Sequence, residues 1–239
     1  VYNNRFLKEE DITALVECTP AEIEKLGVHR GDVFFTRTSE TAEDVGWSSV
    51  MLDDIGDCVF NGFTIKATPK TNYLLPEYCA FCFATEDFRK YVTSHCAFTT
   101  RASLTGKTIA EYQLVIPSIE KQQEIVNVLN KFHSLCNDLS AGLPAEIEAR
   151  QKQYEYYRDL LLTFAETGST LMTDRQTDRQ TDRQTDRQTE LSAIKLIQYV
   201  FGYVTLPMGS LFDFRNGLSK GKDFFGSGIP FIRYTDVYN

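Results

Sequence analysis

The sequence has no long hydrophobic run. No apolar stretch approaches the roughly 20 residues that a membrane-spanning helix needs, and nothing at its beginning resembles a signal peptide. Its six cysteines show no spacing typical of a disulfide framework. We therefore expect a reduced, cytoplasmic protein with no membrane partner. Residue 1 is Val rather than Met, which suggests a trimmed or fragmentary chain.

Catalytic motifs are also missing. The three histidines are scattered, and no Ser-His-Asp or Cys-His arrangement can be argued. No Gly-x-Gly-x-x-Gly loop follows a strand, no Walker phosphate loop occurs, and the cofactor loop and Pro-Pro tetrapeptide of a methyltransferase are absent. The sequence therefore predicts no catalytic residue and no cofactor bound by this chain.

A zinc site is a weak alternative for the cysteines. Cys79 and Cys82 form a Cys-x-x-Cys pair, and His95 and Cys96 follow. Zinc needs four ligands on suitable turns, whereas the first pair lies on an apolar helix and the second pair is adjacent in sequence. We therefore predict buried core thiols and no metal.

Positive charge is scarce, since the net charge is −8. Residues 1–117 hold 11 basic and 17 acidic side chains, residues 118–190 hold 9 and 13, and residues 191–239 hold 5 and 3. Because only the last segment is basic, any surface that faces an anion should depend on it.

What the sequence does contain, at both ends, is the pattern of β-strands. In residues 1–117, β-branched and aromatic runs are bounded by Gly, Asp, Asn and Pro, and the last run ends at Pro117. Residues 191–239 return to the same pattern.

Two helices interrupt the first β segment. Thr19 as N-cap and Gly27 as stop predict a short helix. A second helix is predicted from near Pro76 to His95. Its buried side is predicted to carry Leu75, Cys79, Cys82 and Phe83.

Residues 118–190 have a helical pattern instead. Apolar residues recur in steps of three and four from Ser118 onward, at Ile125, Leu129, Phe132, Cys136 and Leu139. After a break at Gly142 and Pro144, a second stripe carries Ile147, Tyr154, Tyr157, Leu161 and Phe164. Two striped helices with a short connection predict a long antiparallel hairpin or coiled coil.

A four-residue unit, TDRQ, is written four times in residues 173–188. As a helix it would place Arg175 beside Asp178, and the later units would repeat this pairing. Such a helix is polar all round, which suits a bridge between domains. The alternative is a disordered low-complexity linker.

The two ends of the chain are continuous in pattern. Read tail to head, they give IPFIRYTDVYNNRFLKEEDI, a single strand-and-turn passage. We interpret the ends as parts of the same kind of domain, one holding its opening and the other its remainder.

Four passages together resemble the DNA-specificity subunit of type I restriction-modification systems. They are GDVFFTRTSETAEDVG, TTRASLTGKTIAEYQLVIPSIEKQQEIVNVLNKF, DLSAGLPAEIEARQKQYEYYRDLLLTF and LFDFRNGLSKGKDFFGSGIPFIRYTDVYN. The resemblance implies an α+β fold in which a β-rich target-recognition domain is divided between the chain ends. Residues 1–117 would be its C-terminal part, residues 118–190 a conserved helical region, and residues 191–239 its N-terminal part.

The same resemblance implies function and partners. Family members carry two recognition domains and two helical regions, and each recognition domain reads one half of a split DNA site. This chain has the material for one of each, so it is either a fragment or a half-subunit that pairs with a second copy. The expected partners are double-stranded DNA, a methyltransferase subunit that carries S-adenosylmethionine, and a restriction-translocation subunit. Catalysis would belong to those partners.

Two hypotheses follow for the TDRQ repeat, one about its role and one about the way it is encoded. In this family, a four-residue repeat at this junction sets the gap between the recognition domains. Separately, the codons CAG-ACA-GAC-AGA encode Gln-Thr-Asp-Arg as one repeated four-base unit, so the gene would be prone to slippage and phase variation.

DNA recognition needs side chains that reach base edges and donors that hold phosphates. Polar residues in predicted loops supply both, and each has the alternative of an ordinary solvated or turn-stabilising residue. The candidates are Thr36, Arg37, Thr38, Ser39, Thr41, Thr100, Arg101, Ser103, Lys107, Arg215, Asn216, Lys220, Lys222, Arg233 and Tyr234.

Three other functions stay open. A coiled-coil adaptor would use the hairpin for protein contacts only, and it predicts no salt-dependent DNA binding. A recognition module fused to a nuclease or methylase would need catalytic motifs beyond this chain. A stand-alone enzyme would need a catalytic constellation, which the sequence lacks.

Overall fold

The computed structural model describes residues 5–138, 151–159, 162 and 202–238. The fold is α+β with several small sheets, as the sequence predicts. No helix among the described residues is long and apolar enough to cross a bilayer.

The chain divides into two compact units. Residues 1–113 and 207–239 form the first, called unit 1, and residues 114–206 form the second, called unit 2. Unit 1 is thus built from both ends of the chain.

Unit 1 is organised around a five-stranded sheet in the order β1-β5-β3-β7-β12. The C-terminal segment supplies its last strand, which pairs antiparallel with β7 so that Phe214 lies opposite Ala67. The strands are β1 (Phe6–Leu7), β3 (Val33–Thr36), β5 (Ser48–Met51), β7 (Thr64–Pro69) and β12 (Phe212–Asn216).

Two three-stranded sheets complete the β structure of unit 1. In the first, β13 (Ile229–Ile232) lies between β2 (Leu15–Val16) and β6 (Val59–Phe60), so the C-terminal segment again supplies a strand. The second has β9 between its neighbours, and its strands are β4 (Thr38–Ser39), β8 (Ala97–Phe98) and β9 (Ala102–Ser103).

The helices of unit 1 are short. Helix α1 begins as predicted, because the Thr19 hydroxyl accepts from the Glu22 N–H at 3.4 Å and the Glu22 carboxylate accepts from the Thr19 N–H at 2.8 Å. Two 3-10 turns lie at Glu9–Asp11 and Lys222–Phe224. The helices are α1 (Pro20–Leu26), α2 (Pro76–Cys82), α3 (Glu86–His95), α4 (Gly106–Ala110), α7 (Met208–Leu211) and α8 (Tyr234–Tyr238).

The central sheet has an apolar core on each face. Phe34 and Phe35 are consecutive in β3, so their side chains leave opposite faces, and both are fully buried. Phe34 packs edge-on against Phe60 at a ring distance of 5.6 Å. On the other face, Phe35 and Phe212 each contact Phe83, at 5.2 and 6.3 Å. The C-terminal segment therefore contributes to the core as well as to the sheet.

The prediction of one helix from Pro76 to His95 is wrong. The chain breaks after α2, because the Thr85 hydroxyl donates to the Cys82 carbonyl at 2.8 Å and accepts from the Phe88 N–H at 3.3 Å as the N-cap of α3. Burial of Cys79, Cys82 and Phe83 is confirmed, whereas Leu75 is only half-buried.

Unit 2 contains a two-stranded sheet and a long helix. The strands are β10 (Gln113–Pro117), which ends at Pro117 as predicted, and β11 (Tyr203–Pro207). Helix α5 (Ile119–Asp138) follows, and Ser118 accepts from the Lys121 N–H at 3.4 Å at its start.

The predicted apolar stripe on α5 is confirmed as far as the structure describes its side chains. Ile125 and Leu129 are buried, and Phe132 is half-buried. Cys136 and Leu139 lie beyond the side chains that are described.

A second helical stretch, α6, covers residues 151–159. Tyr154 is buried there, and Tyr157 stacks on Phe132 of α5 with ring centroids 5.7 Å apart. The other residues predicted on this stripe, Ile147, Leu161 and Phe164, lie outside the described residues, as do the TDRQ units at 173–188.

Candidate nucleic-acid interface

An open groove on unit 1 brings together four of the predicted DNA-contacting residues. The groove has a volume of about 430 Å³, and Thr38, Ser39, Arg101 and Tyr234 line it. They come from β4, from the connection between β8 and β9, and from the first turn of α8. Three further residues complete the lining, namely Glu40, Asp44 and Phe63.

The backbone of Arg37 holds the floor of this region together. Its N–H donates to the Phe63 carbonyl at 2.8 Å, and its carbonyl accepts from the Leu104 N–H at 2.9 Å. Its guanidinium donates to the Gly62 carbonyl at 3.4 Å, and the side chain is half-buried. Arg37 therefore joins three separate segments of the chain at one point.

Thr36 closes the base of the loop that carries the groove residues. It is fully buried, and its hydroxyl accepts from the Trp47 N–H at 2.9 Å and donates to the Asp44 carbonyl at 3.4 Å. A side chain that is inaccessible and already bonded cannot reach DNA in this conformation. We therefore remove Thr36 from the predicted contacts and assign it a structural role.

The loop itself is braced from two sides. Within it, the Thr41 hydroxyl donates to the Asp44 carboxylate at 2.6 Å. From α3, the Arg89 guanidinium lies over the Trp47 ring at 4.5 Å and donates to the Glu43 carbonyl at 2.6 Å. Burial lowers the pKa of Arg89. These contacts hold the loop that carries the groove residues.

The opposite wall comes from the passage that was expected to be one polar loop. It is a β8–β9 hairpin followed by α4, whose N-cap Thr105 accepts from the Thr108 N–H at 3.1 Å. Arg101 extends from the hairpin and lies 3.6 Å from Glu40, and both side chains are exposed. Thr100 is also exposed, and the Ser103 hydroxyl donates to the Ala97 carbonyl at 3.4 Å.

Lys107 is exposed on α4 and does not line the groove. Its neighbour Gly106 is required by packing, because a Cβ there would lie 2.8 Å from the Cβ of Phe214 in β12. The absence of a side chain at Gly106 thus lets α4 approach the sheet.

Two cations of the basic C-terminal segment bond to α1 or to the turn before it. Arg215 donates to the Lys25 carbonyl at 2.8 Å in the last turn of α1. Lys220 donates to the Glu22 carboxylate at 2.8 Å and to the Glu17 carbonyl at 2.6 Å. The hydrogen bond from Lys220 is the largest cause that lowers the pKa of Glu22 to about 2, and bonds from Thr19 add to it.

Three further candidates of this segment are exposed, as Arg215 is. Arg233 forms an ion pair with the buried Asp236 at 2.8 Å, and this hydrogen bonding raises the pKa of Arg233. Asn216 and Lys222 are exposed at the end of β12 and in the second 3-10 turn. Neither lines the groove.

The cysteines of the Cys-x-x-Cys pair lie in the core. Cys79 and Cys82 are buried in α2, and desolvation raises the pKa of Cys79 well above its usual value and that of Cys82 to about 12. Among the described residues, no group of three or more His, Cys, Asp or Glu side chains is placed to hold a metal ion.

Sequence reasoning missed four residues of this region. Glu40, Asp44 and Phe63 line the groove, and Arg89 braces it. Phe63 follows a turn-forming Asn-Gly pair, and its side chain is 58% exposed. The sequence signal that could have identified Phe63 was a large apolar residue directly after a turn.

Comparison with known proteins assigns the family. Residues 6–149, more than half of the chain, match the model of the type I restriction modification DNA specificity domain. The match includes every groove residue except Tyr234.

Named relatives agree with this match. The chain is 52% identical over 63 residues to the EcoR124I/EcoR124II specificity subunit of Escherichia coli, covering 26% of this chain and 16% of the relative. It is 42% identical over 86 residues to a putative type I specificity subunit of Mycoplasma pneumoniae, covering 36% and 27%. The C-terminal part of another from that organism is 35% identical over 107 residues, covering 41% of this chain and 74% of the relative.

The matched regions span only about a sixth to a quarter of the length of the first two relatives. All three relatives are named as specificity subunits, which agrees with the prediction that the chain itself is not an enzyme. From the family match and from these similarities, we conclude that the chain belongs to the type I restriction-modification DNA specificity family.

Proposed function

We propose that this chain recognises a DNA sequence and directs a type I methyltransferase and restriction complex to it. The observation that carries the proposal is the groove of unit 1, which collects Thr38, Ser39 and Arg101 within the part of the chain that matches the specificity family. The groove offers hydroxyls, a guanidinium and carboxylates, which are the groups that read base edges.

In this proposal, unit 1 is a target-recognition domain divided between the chain ends. Residues 1–117 act as its C-terminal part and residues 191–239 as its N-terminal part. The pairing of β12 with β7 and the central position of β13 support a single domain made from both ends. Exposed cations outside the groove, such as Lys107 and Lys222, would hold the DNA by its phosphates.

Residues 118–190 are proposed to form a long antiparallel hairpin that docks the partners. The stacking of Phe132 on Tyr157 supports it, because that contact joins α5 to α6 side by side. The partners are a methyltransferase subunit that carries S-adenosylmethionine, a restriction-translocation subunit, and a second copy of this chain or the rest of a longer subunit.

The TDRQ units at 173–188 are proposed to set the distance between two half-sites. Four helical residues advance about 6 Å and turn about 40° beyond a full circle. One base pair rises about 3.4 Å. Adding or removing one unit should therefore change the unread gap by one or two base pairs. If two identical chains pair, the site is an interrupted palindrome.

The test is to map methylated sites in a host that expresses the chain with its methyltransferase partner. Variants with three, four and five TDRQ units are compared. The expected result is one bipartite motif whose halves stay constant while the gap changes with the number of units. A constant gap would refute the spacer, and no motif at any length would refute DNA recognition by this chain.

DNA binding in vitro distinguishes a specificity subunit from the adaptor alternative. A specificity subunit should bind duplex DNA with an affinity that falls steeply as salt rises, since phosphate contacts release counterions. A protein that uses the hairpin only for protein contacts should show no such dependence.

Phase variation is proposed at the level of the gene. It requires that the repeat is encoded by one four-base unit, so sequencing the tract tests it directly. Mixed synonymous codons across the four TDRQ units would contradict it.

A further inference from the structure

The charges that line the groove are unusual for a surface that only holds phosphates. Glu40 and Asp44 contribute two carboxylates, against the single guanidinium of Arg101. Carboxylates repel phosphate, whereas the edges of bases in the major groove include amino groups that a carboxylate accepts from. The composition of the groove therefore favours base edges as its ligand.

The two carboxylates differ in their availability. Asp44 already accepts from the Thr41 hydroxyl at 2.6 Å within the loop. Glu40 lies 3.6 Å from Arg101, and its side chain is 85% exposed. A strong charge-assisted hydrogen bond is about 2.7–2.9 Å long, so the contact between Glu40 and Arg101 is loose. Both side chains can exchange this contact for a ligand at little cost.

The chemistry of the pair matches one kind of base pair. Guanine presents two acceptors side by side, O6 and N7, and a guanidinium can donate to both at once. The cytosine opposite presents an amino group at N4, which a carboxylate accepts from. We propose that Arg101 and Glu40 together read one G·C base pair of the target, with Arg101 on the guanine and Glu40 on the cytosine. This inference rests on the DNA recognition proposed above.

The test is selection of bound duplexes from a randomised DNA pool by the full chain and its variants. In the wild-type motif, one position is expected to be an invariant G·C pair. Arg101→Gln and Glu40→Gln should each lower the preference for G·C at that same position by about ten- to a hundredfold, with the other positions unchanged. Arg101→Lys keeps the charge but loses the two-pronged contact, so it should relax the same position.

The matched control is the ion pair between Lys90 and Glu86 on α3. It is also exposed, its N–O distance is 2.8 Å, and it lies outside the groove. Lys90→Gln and Glu86→Gln should leave the selected motif unchanged.

Each other outcome has a definite meaning. If Arg101→Lys preserves the motif while Arg101→Gln weakens binding to all sequences equally, Arg101 holds a phosphate and the inference is wrong. If the two residues affect different positions, they do not read one base pair. Either result leaves DNA recognition intact. If the wild-type chain selects no motif, the proposed function fails and the inference fails with it.

Discussion

The basic C-terminal segment and the groove of unit 1 use their charges in opposite ways. The segment at 191–239 was expected to supply the anion-facing surface, yet two of its cations, Arg215 and Lys220, bond to α1 or the loop before it. All groove residues except Tyr234 lie in the acidic part of the chain, and there the Arg101 side chain is held only by a loose contact. A count of charges thus predicts where cations are, but their availability depends on the acceptors that the fold brings close to them.

The largest loss of stability is expected for a cation that is buried and paired within the fold. Lys66 in β7 forms a buried ion pair with Asp32 at 3.1 Å, and it also donates to the Gly27 carbonyl. Lys66→Met alone should destabilise unit 1 by about 3–5 kcal/mol, because it leaves the Asp32 charge buried and unpaired. Chemical denaturation measures this loss.

The control for this pair is the double variant. Replacing Lys66 with Met and Asp32 with Asn removes both charges, so it should recover much of the stability lost in Lys66→Met. If the double variant is as unstable as the sum of the two single variants, the ion pair is not what couples these residues.

A smaller effect and a sharper contrast are expected for Thr36 and Thr38, which lie two residues apart in sequence. Thr36 is buried with its hydroxyl bonded to Trp47, whereas Thr38 lines the groove. Thr36→Val should cost about 1–3 kcal/mol, because the partly buried N–H of Trp47 loses its acceptor. Thr38→Val should change stability by less than about 0.5 kcal/mol and should weaken DNA binding or alter its sequence preference.

Denaturation and duplex selection on both threonine variants test the contrast. Equal losses of stability would show that the groove wall is as much a part of the core as the loop base, and would remove the reason for excluding Thr36 from the interface.

The smallest effects are expected for two lysines in the C-terminal segment. Lys220 holds Glu22, whereas Lys222 is exposed. The folded pKa of Glu22 is about 2, below its ordinary value of 4.5. The stabilisation is therefore present above pH 4.5 and is lost as pH falls towards 2. Lys220→Gln should lower the urea midpoint near pH 6, and this difference from wild type should shrink towards zero near pH 2.

Lys222→Gln should show the reverse behaviour. Its urea midpoint should match wild type at both pH values, while the slope of log affinity against log salt should fall by about one phosphate contact. An unchanged salt slope would remove Lys222 from the proposed interface.

The sequence predicted local structure well where the signals are local. Thr19 and Gly27 bound α1 as predicted, and the predicted stripe at Ile125 and Leu129 lies on α5. The break between α2 and α3 was missed, because Ala84 and Thr85 are both tolerated inside helices. Thr85 becomes a cap only because its hydroxyl finds the Cys82 carbonyl and the Phe88 N–H.

The groove could be predicted only in part. Its hydroxyls and Arg101 carry a local signal, since they are polar residues beside strands. Glu40 and Phe63 enter the groove because Arg37 ties three distant segments together through its backbone. No spacing in the sequence predicts that these three segments come together. The burial of Thr36, two residues from the accessible Thr38, depends on its hydrogen bond with Trp47 on the far side of the loop.

The contribution of the C-terminal segment to unit 1 also affects the order of synthesis. Ile65 in β7 pairs with Asn216 in β12, so the central sheet cannot be completed until the ribosome has passed the repeat. Until then, β7 has an open edge and β2 and β6 lack the strand between them, which is a state prone to association. A frameshift within the TDRQ repeat would make this state permanent, because β2, β6 and β7 are already made and β12 and β13 are not. Its product would lose two strands and the Phe212 ring from the core, so it would be a substrate for quality-control proteases rather than a competitor for DNA.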